Sequence, residues 1–132
     1  MSCLVGGVSK WQQSKSLHNR QPEVCIAVPG RLCDHIKDKN IRMNRVTFLV
    51  LDEADRMLSI GFEGQLRSIV NQLRHDRQTV FFSATFPPKL QSFAFDMMNN
   101  DKLQVRVRIG REGASAQEIE QRVIILDVYW IL

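Results

Sequence analysis

Residues 46–55 read VTFLVLDEAD, a hydrophobic run that stops abruptly at Asp52-Glu53-Ala54-Asp55. Apart from Thr47 its first six residues are apolar, the near-continuous pattern of a strand covered on both sheet faces. Working outward, residues 79–82 (TVFF) form another such run, with Ser83-Ala84-Thr85 at its carboxyl end. Residues 23–28 (EVCIAV) form a third, stopped by Pro29, and Cys3-Leu4-Val5 reads as a strand end broken by Gly6-Gly7. Helical patterns lie between them. A polar helix is predicted over residues 9–17 with Ser9 as its N-cap, and Leu32, Cys33 and Ile36 give a short helix its apolar side. Phe62, Leu66, Ile69, Val70 and Leu73 make one stripe of an amphipathic helix. Pro87-Pro88 open another, with Leu90, Phe93, Ala94, Met97 and Met98 as its core positions. Strands alternating with helices predict an α/β fold on a parallel sheet with crossover helices.

Toward the end of the chain, Leu103, Val105, Val107 and Ile109 alternate with Gln104, Arg106 and Arg108, which predicts a strand with one wet face. Residues 110–117 are small and polar, the composition of a linker. Residues 119–132 end on Tyr129-Trp130-Ile131-Leu132, an apolar tail.

Composition sets bounds on function. A length of 132 residues allows one domain. No apolar run approaches the roughly 18–20 residues of a membrane span, and the first residues lack the basic region of a secretory signal. The net charge of +4 is mildly favourable to anionic partners. Three cysteines, an odd number without framework spacing, point to a reducing, intracellular compartment. No targeting signal separates nucleus from cytoplasm. Cys25, Cys33 and His35 lie close together, but their spacing matches no zinc pattern, so packing or surface roles are the expectation.

Ligands of open parallel sheets gather beyond the carboxyl ends of the strands. Pro29-Gly30-Arg31, Asp52-Glu53-Ala54-Asp55 and Ser83-Ala84-Thr85 all fall at such ends. A carboxylate there can hold a magnesium ion against nucleotide phosphates, usually through water. A second one can orient or deprotonate an attacking water. The plainer alternative is that Asp52 caps the following helix, with Glu53 and Asp55 favoured by its dipole. Likewise Gly6-Gly7 can be a turn, Pro29-Gly30 a strand-to-helix junction, and Ser83 and Thr85 caps for the helix at Pro87.

Taken together, Gly6-Gly7, Pro29-Gly30-Arg31, Asp52-Glu53-Ala54-Asp55 with Arg56-Met57, Gly61-Phe62-Glu63, and Ser83-Ala84-Thr85 resemble the DEAD-box RNA helicase family. The resemblance spans residues 4–126 and is closest in general character to the spliceosome-associated group. It implies a partial P-loop NTPase (RecA-like) parallel sheet with helices on both faces. Residues 1–109 would be the C-terminal part of the ATP-binding lobe, and 110–132 an inter-lobe linker with a tail outside the family pattern. It further implies that Asp52 holds the Mg2+ of bound ATP and that Glu53 acts on the hydrolytic water. Asp55, Ser83 and Thr85 would couple the nucleotide site to RNA. Gly6, Gly7, Pro29, Gly30 and Arg31 would meet the RNA backbone. Glycines permit close approach, and open N–H groups suit phosphates.

Two departures qualify what the resemblance implies. No G-x-x-x-x-G-K-[ST] phosphate loop occurs in the chain, and Gly6-Gly7-Val8-Ser9-Lys10 has the wrong spacing for one. The family's adenine-reading segment would precede Met1, and its second lobe would follow Leu132. Phosphoryl transfer rests on positioning and electrostatics, so the chain alone is expected neither to bind Mg2+ and ATP well nor to hydrolyse ATP or unwind RNA. The strand over residues 79–82 would then present an unpaired apolar edge, and poor solubility or association with a partner is expected. RNA-processing proteins are candidate partners. Val28 stands where the family has threonine, removing a hydroxyl that could cap the next helix or reach a phosphate. The alternative to a helicase part is a truncated, non-catalytic module that binds RNA or a partner, and a degenerate product is a third reading.

Overall fold

The computed structural model describes residues 1–98, 104–110 and 122. Strand β1 (Ser2–Leu4) leads through α1 (Lys10–Arg20) to β2 (Cys25–Ala27), which pairs with it in parallel. Helix α2 (Pro29–Lys37) follows. Strand β3 (Phe48–Leu51) leads through α3 (Ala54–Ser59) and α4 (Glu63–Val70) to β4 (Gln78–Phe81), again its parallel partner, and α5 (Pro88–Met97) comes last. Both pairs have the helical crossover that parallel neighbours require. The α/β alternation in the sequence thus appears in the fold.

Local chemistry explains several boundaries. Val28 is extended (φ −81, ψ 142) ahead of Pro29, which takes the first helical position of α2, where its missing N–H costs nothing. Pro88 begins α5 in the same way after an extended Pro87. Helix α1 ends on Gln21 in the left-handed region, φ 39, with its N–H on the Leu17 carbonyl. Ser9 does precede α1, but its hydroxyl makes no capping bond.

Two apolar clusters hold the elements together. One joins Leu51, Ala54, Leu58, Leu66, Val70, Leu90, Phe93 and Met97. The other joins Leu4, Leu17, Leu32, Cys33, Met43, Ile69 and Leu73. Helix α4 serves both, because Leu66 and Val70 face one cluster and Ile69 the other. Arg77 fastens the start of β4 to the end of α5, donating 2.8 Å to the Met97 carbonyl.

The described strands pair two by two, β1 with β2 and β3 with β4. Leu4, Leu49 and Leu51 face the core, whereas Cys3, Ile26, Phe48 and Val50 are exposed, the last two at 54% and 47%, as side chains alternate along a strand. One expectation needs correction: residues 104–109 form no strand, and Val105, Val107 and Ile109 are exposed. Alternation makes a strand only where a ladder partner exists, and the described residues supply none. The 110–117 linker, apart from Gly110, and the 119–132 tail, apart from Arg122, lie outside the described residues, as does Leu103.

Candidate functional site

The β3–β4 register pairs Leu51 with Phe81, so the acidic tetrapeptide and Ser83-Ala84-Thr85 leave the sheet side by side. The chain fixes the juxtaposition by Phe82 N–H donating to the Leu51 carbonyl (2.8 Å) and Ala54 N–H to the Phe82 carbonyl (3.1 Å). Asp55 then bridges residues 30 positions apart. Its Oδ2 accepts from Thr85 Oγ1 at 2.6 Å and from Thr85 N–H at 3.0 Å. Its Oδ1 accepts from Arg56 N–H, and its own N–H donates 3.1 Å to Ser83 Oγ. Thr85 is therefore committed to Asp55 rather than to capping α5, whose start has no side-chain cap.

These donors hold the Asp55 carboxyl down at about 2, the Thr85 hydroxyl most strongly, with partial burial opposing. A folded-state value below the ordinary 3.8 stabilises the fold fully above the unfolded-state value and loses that contribution as pH falls toward the folded one. The thermal midpoint of Thr85→Val should accordingly lie below wild type above pH ~4, with the gap closing as pH falls toward ~2. A gap that stays constant over that interval would mean that Asp55 gains nothing from Thr85.

Asp52 and Glu53 are exposed at the end of β3. Asp52 Oδ1 accepts the Glu53 N–H at 2.9 Å and makes no cap to α3. Glu53 sits in the left-handed region (φ 51, ψ 45), and its Oε2 meets Arg56 Nη1 at 2.9 Å. Among the described residues no group of three or more His, Cys, Asp or Glu could cage a metal ion. One exposed carboxylate suits Mg2+ differently, because that ion keeps several waters and takes its remaining ligands from phosphates. Asp52 fits that role and no more demanding one.

The second cluster surrounds β1 and β2. Gly7 has φ 72, a turn conformation that glycine adopts without strain. Gly6 and Gly7 are exposed, Pro29 is buried, and a Cβ built at Gly6 or Gly30 would meet nothing within 4 Å. Open space above these backbones is what close approach by a large ligand needs. Arg31 turns back on its own fold: Nη1 donates 2.7 Å to the Val8 carbonyl, and Nε lies 4.0 Å from Asp34. Val28 precedes α2 without a side-chain cap. Helix α2 packs on α4, whose Leu66 and Val70 share a core cluster with Leu51 and Ala54.

Sequence reading passed over Gln13 and left His35 between a packing and a surface role; both are buried. Gln13 stands one helical turn before buried Leu17 on α1, a spacing that could have placed it inward. Instead of meeting Cys25, His35 bonds to Gln13 and Asn40, and Cys33 Sγ donates to the Gln65 carbonyl at 3.7 Å. Burial raises the thiol pKa of both Cys25 and Cys33, which makes them poor nucleophiles.

Residues 1–93 match the family described as DEAD/DEAH box helicase. DEAD-box ATP-dependent RNA helicase 24 of Oryza sativa subsp. japonica is 47% identical over 126 residues, covering 96% of this chain and 16% of the relative. ATP-dependent RNA helicase dbp2 of Schizosaccharomyces pombe is 48% identical over 126 residues, 96% of this chain and 22% of the relative. ATP-dependent RNA helicase DDX42 of Xenopus laevis is 47% identical over 123 residues, 93% of this chain and 13% of the relative. The chain thus spans less than a quarter of the length of these curated relatives. A solved structure, a hypothetical ATP-dependent RNA helicase from Sulfolobus tokodaii, aligns with TM-score 0.67 at 28% identity over 76% of this chain and 30% of that one.

Proposed function

The chain belongs to the DEAD/DEAH box helicase family, and from that premise we propose that it is part of an ATP-dependent RNA helicase coupling ATP hydrolysis to RNA binding and duplex unwinding. The observation that carries this reading is Asp55, which ties the turn bearing Asp52 and Glu53 to Ser83 and Thr85 beyond the neighbouring strand. Bound Mg2+–ATP supplies the reacting phosphate and neutralises its charge. Asp52 would hold the ion, as Mg2+ keeps most of its waters and needs few protein carboxylates. Glu53 releases Arg56, an exposed pair worth little, and takes the proton of the attacking water. A shift at Ser83-Thr85 would reach the acidic turn directly through Asp55.

Gly6, Gly7, Pro29 and Gly30 form the surface that meets the RNA backbone, with Arg31 beside it, and such contacts read charge and shape rather than sequence. The G-x-x-x-x-G-K-[ST] motif does not occur in the 132 residues, and on this reading the chain alone performs neither hydrolysis nor unwinding. The site is an intracellular one, and RNA-processing proteins are its natural company. Full-length protein should release phosphate faster when single-stranded RNA is added, and should separate a short RNA duplex only with hydrolysable ATP. Phosphate release indifferent to RNA would defeat the proposal.

A further inference from the structure

Among the described residues, the largest fully buried side chains are Leu4, Leu90 and His35. A buried imidazole is costly unless its nitrogens are satisfied. His35 Nε2 lies 3.3 Å from Gln13 Oε1, and Asn40 Nδ2 lies 3.2 Å from His35 Nδ1. Gln13 Nε2 in turn donates 2.9 Å to the Val5 carbonyl. The three bonds fix one another's direction. With its N–H committed to Val5, Gln13 can only accept through Oε1, so His35 Nε2 carries the proton. Nδ1 is then the acceptor for Asn40. The ring is held neutral in one tautomer, and burial, followed by the charges of Arg31 and Lys10, lowers its pKa in the same sense.

This relay ends at the Gly6-Gly7 loop. The Val5 carbonyl and the Gly6 N–H share one peptide group. Among the described residues no peptide is cis, and in a planar trans peptide the two point in opposite directions. Drawing the Val5 oxygen down onto buried Gln13 therefore turns the Gly6 N–H outward. On the far side of the loop Arg31 holds the Val8 carbonyl, which turns the Ser9 N–H away in the same manner. Neither N–H has a backbone acceptor among the described residues, and both Gly6 and Ser9 are exposed.

We propose that Gln13, oriented by His35, and Arg31 are positioning residues that aim the amide N–H groups of the Gly6-Gly7 loop at an RNA phosphate. The inference rests on the reading that this loop faces RNA, and it assigns the side chains that prepare the loop. It also gives Arg31 an indirect part beside any contact of its own.

The test uses full-length protein activated by single-stranded poly(U). Gln13→Glu keeps an acceptor for His35 but sets a carboxylate oxygen against Val5 in place of the donor. The poly(U) concentration for half-activation should rise about tenfold, the worth of one charge-assisted hydrogen bond. The rate at saturating poly(U) should hold, while the thermal midpoint falls because a buried carboxylate then faces a carbonyl. A packing role alone would lower the midpoint and leave half-activation unchanged. Should Gln13→Glu fail to fold, Gln13→Met, similar in volume and without a donor, reads the same quantity. Gly6→Pro deletes the N–H itself. A rise with both the Gln13 and Gly6 variants supports the proposal. A rise with Gly6→Pro alone overturns it and leaves the RNA-facing loop standing. A rise with the Gln13 variant alone overturns it because the N–H is then not the ligand. No rise with either removes the RNA-facing loop and the inference together.

Discussion

Glu53→Gln in full-length protein is expected to slow RNA-stimulated phosphate release on the order of a hundred- to ten-thousandfold, the usual worth of a positioned general base. Glutamine preserves the side chain's length and an oxygen for Arg56, but it cannot accept the proton of the attacking water. The ion pair it weakens is exposed on both sides, 72% for Arg56 and 63% for Glu53, so stability should hardly respond. ATP and RNA should still bind, because neither the Asp52 carboxylate nor the glycine loops are altered. The loss should therefore appear in kcat. Retention of activity within tenfold of wild type would assign the base elsewhere.

The second large effect is structural. Leu90 is completely buried, in the cluster with Leu51, Phe93 and Met97. Leu90→Ala removes buried methyl groups and leaves a cavity between α5 and the acidic turn, at a cost of about 2–5 kcal/mol. That is a large part of the roughly 5–15 kcal/mol stability of a typical domain. Ala54 of the acidic tetrapeptide belongs to the same cluster, so the damage lies beside the site. The measurement is the urea midpoint of the transition in which this domain unfolds, read at unchanged slope. A change below about 1 kcal/mol would show that α5 does not depend on this anchor.

How much of this was legible beforehand differs from element to element. The abrupt change from VTFLVL to DEAD announced both a strand and a strand-end site, because burial and charge are local properties of sequence. The meeting of Asp55 with Thr85 required the parallel register as well, since residues 30 positions apart meet only when their strands end together. The open side of β3 was not legible. Phe48 and Val50 are as apolar as Leu49 and Leu51, and what covers a face depends on which elements fold over it. Residues 104–109 failed for the related reason that a strand needs a partner. Gln13 was hidden by its polarity, which suits a wet surface as readily as a buried relay, and for His35 the choice between packing and surface rested on the unseen partner.

Glu53 carries one more consequence. Its backbone lies at φ 51, where an L-residue with a Cβ is held at roughly 1–2 kcal/mol above its comfortable conformation. Glycine would relieve that strain. A laboratory selection for heat resistance or expression alone would therefore drift toward Glu53→Gly and enrich a sturdier protein without a proton acceptor for water. Under such a screen durability and turnover pull in opposite directions at this residue. Any attempt to harden the protein should keep position 53 fixed and seek its gains elsewhere.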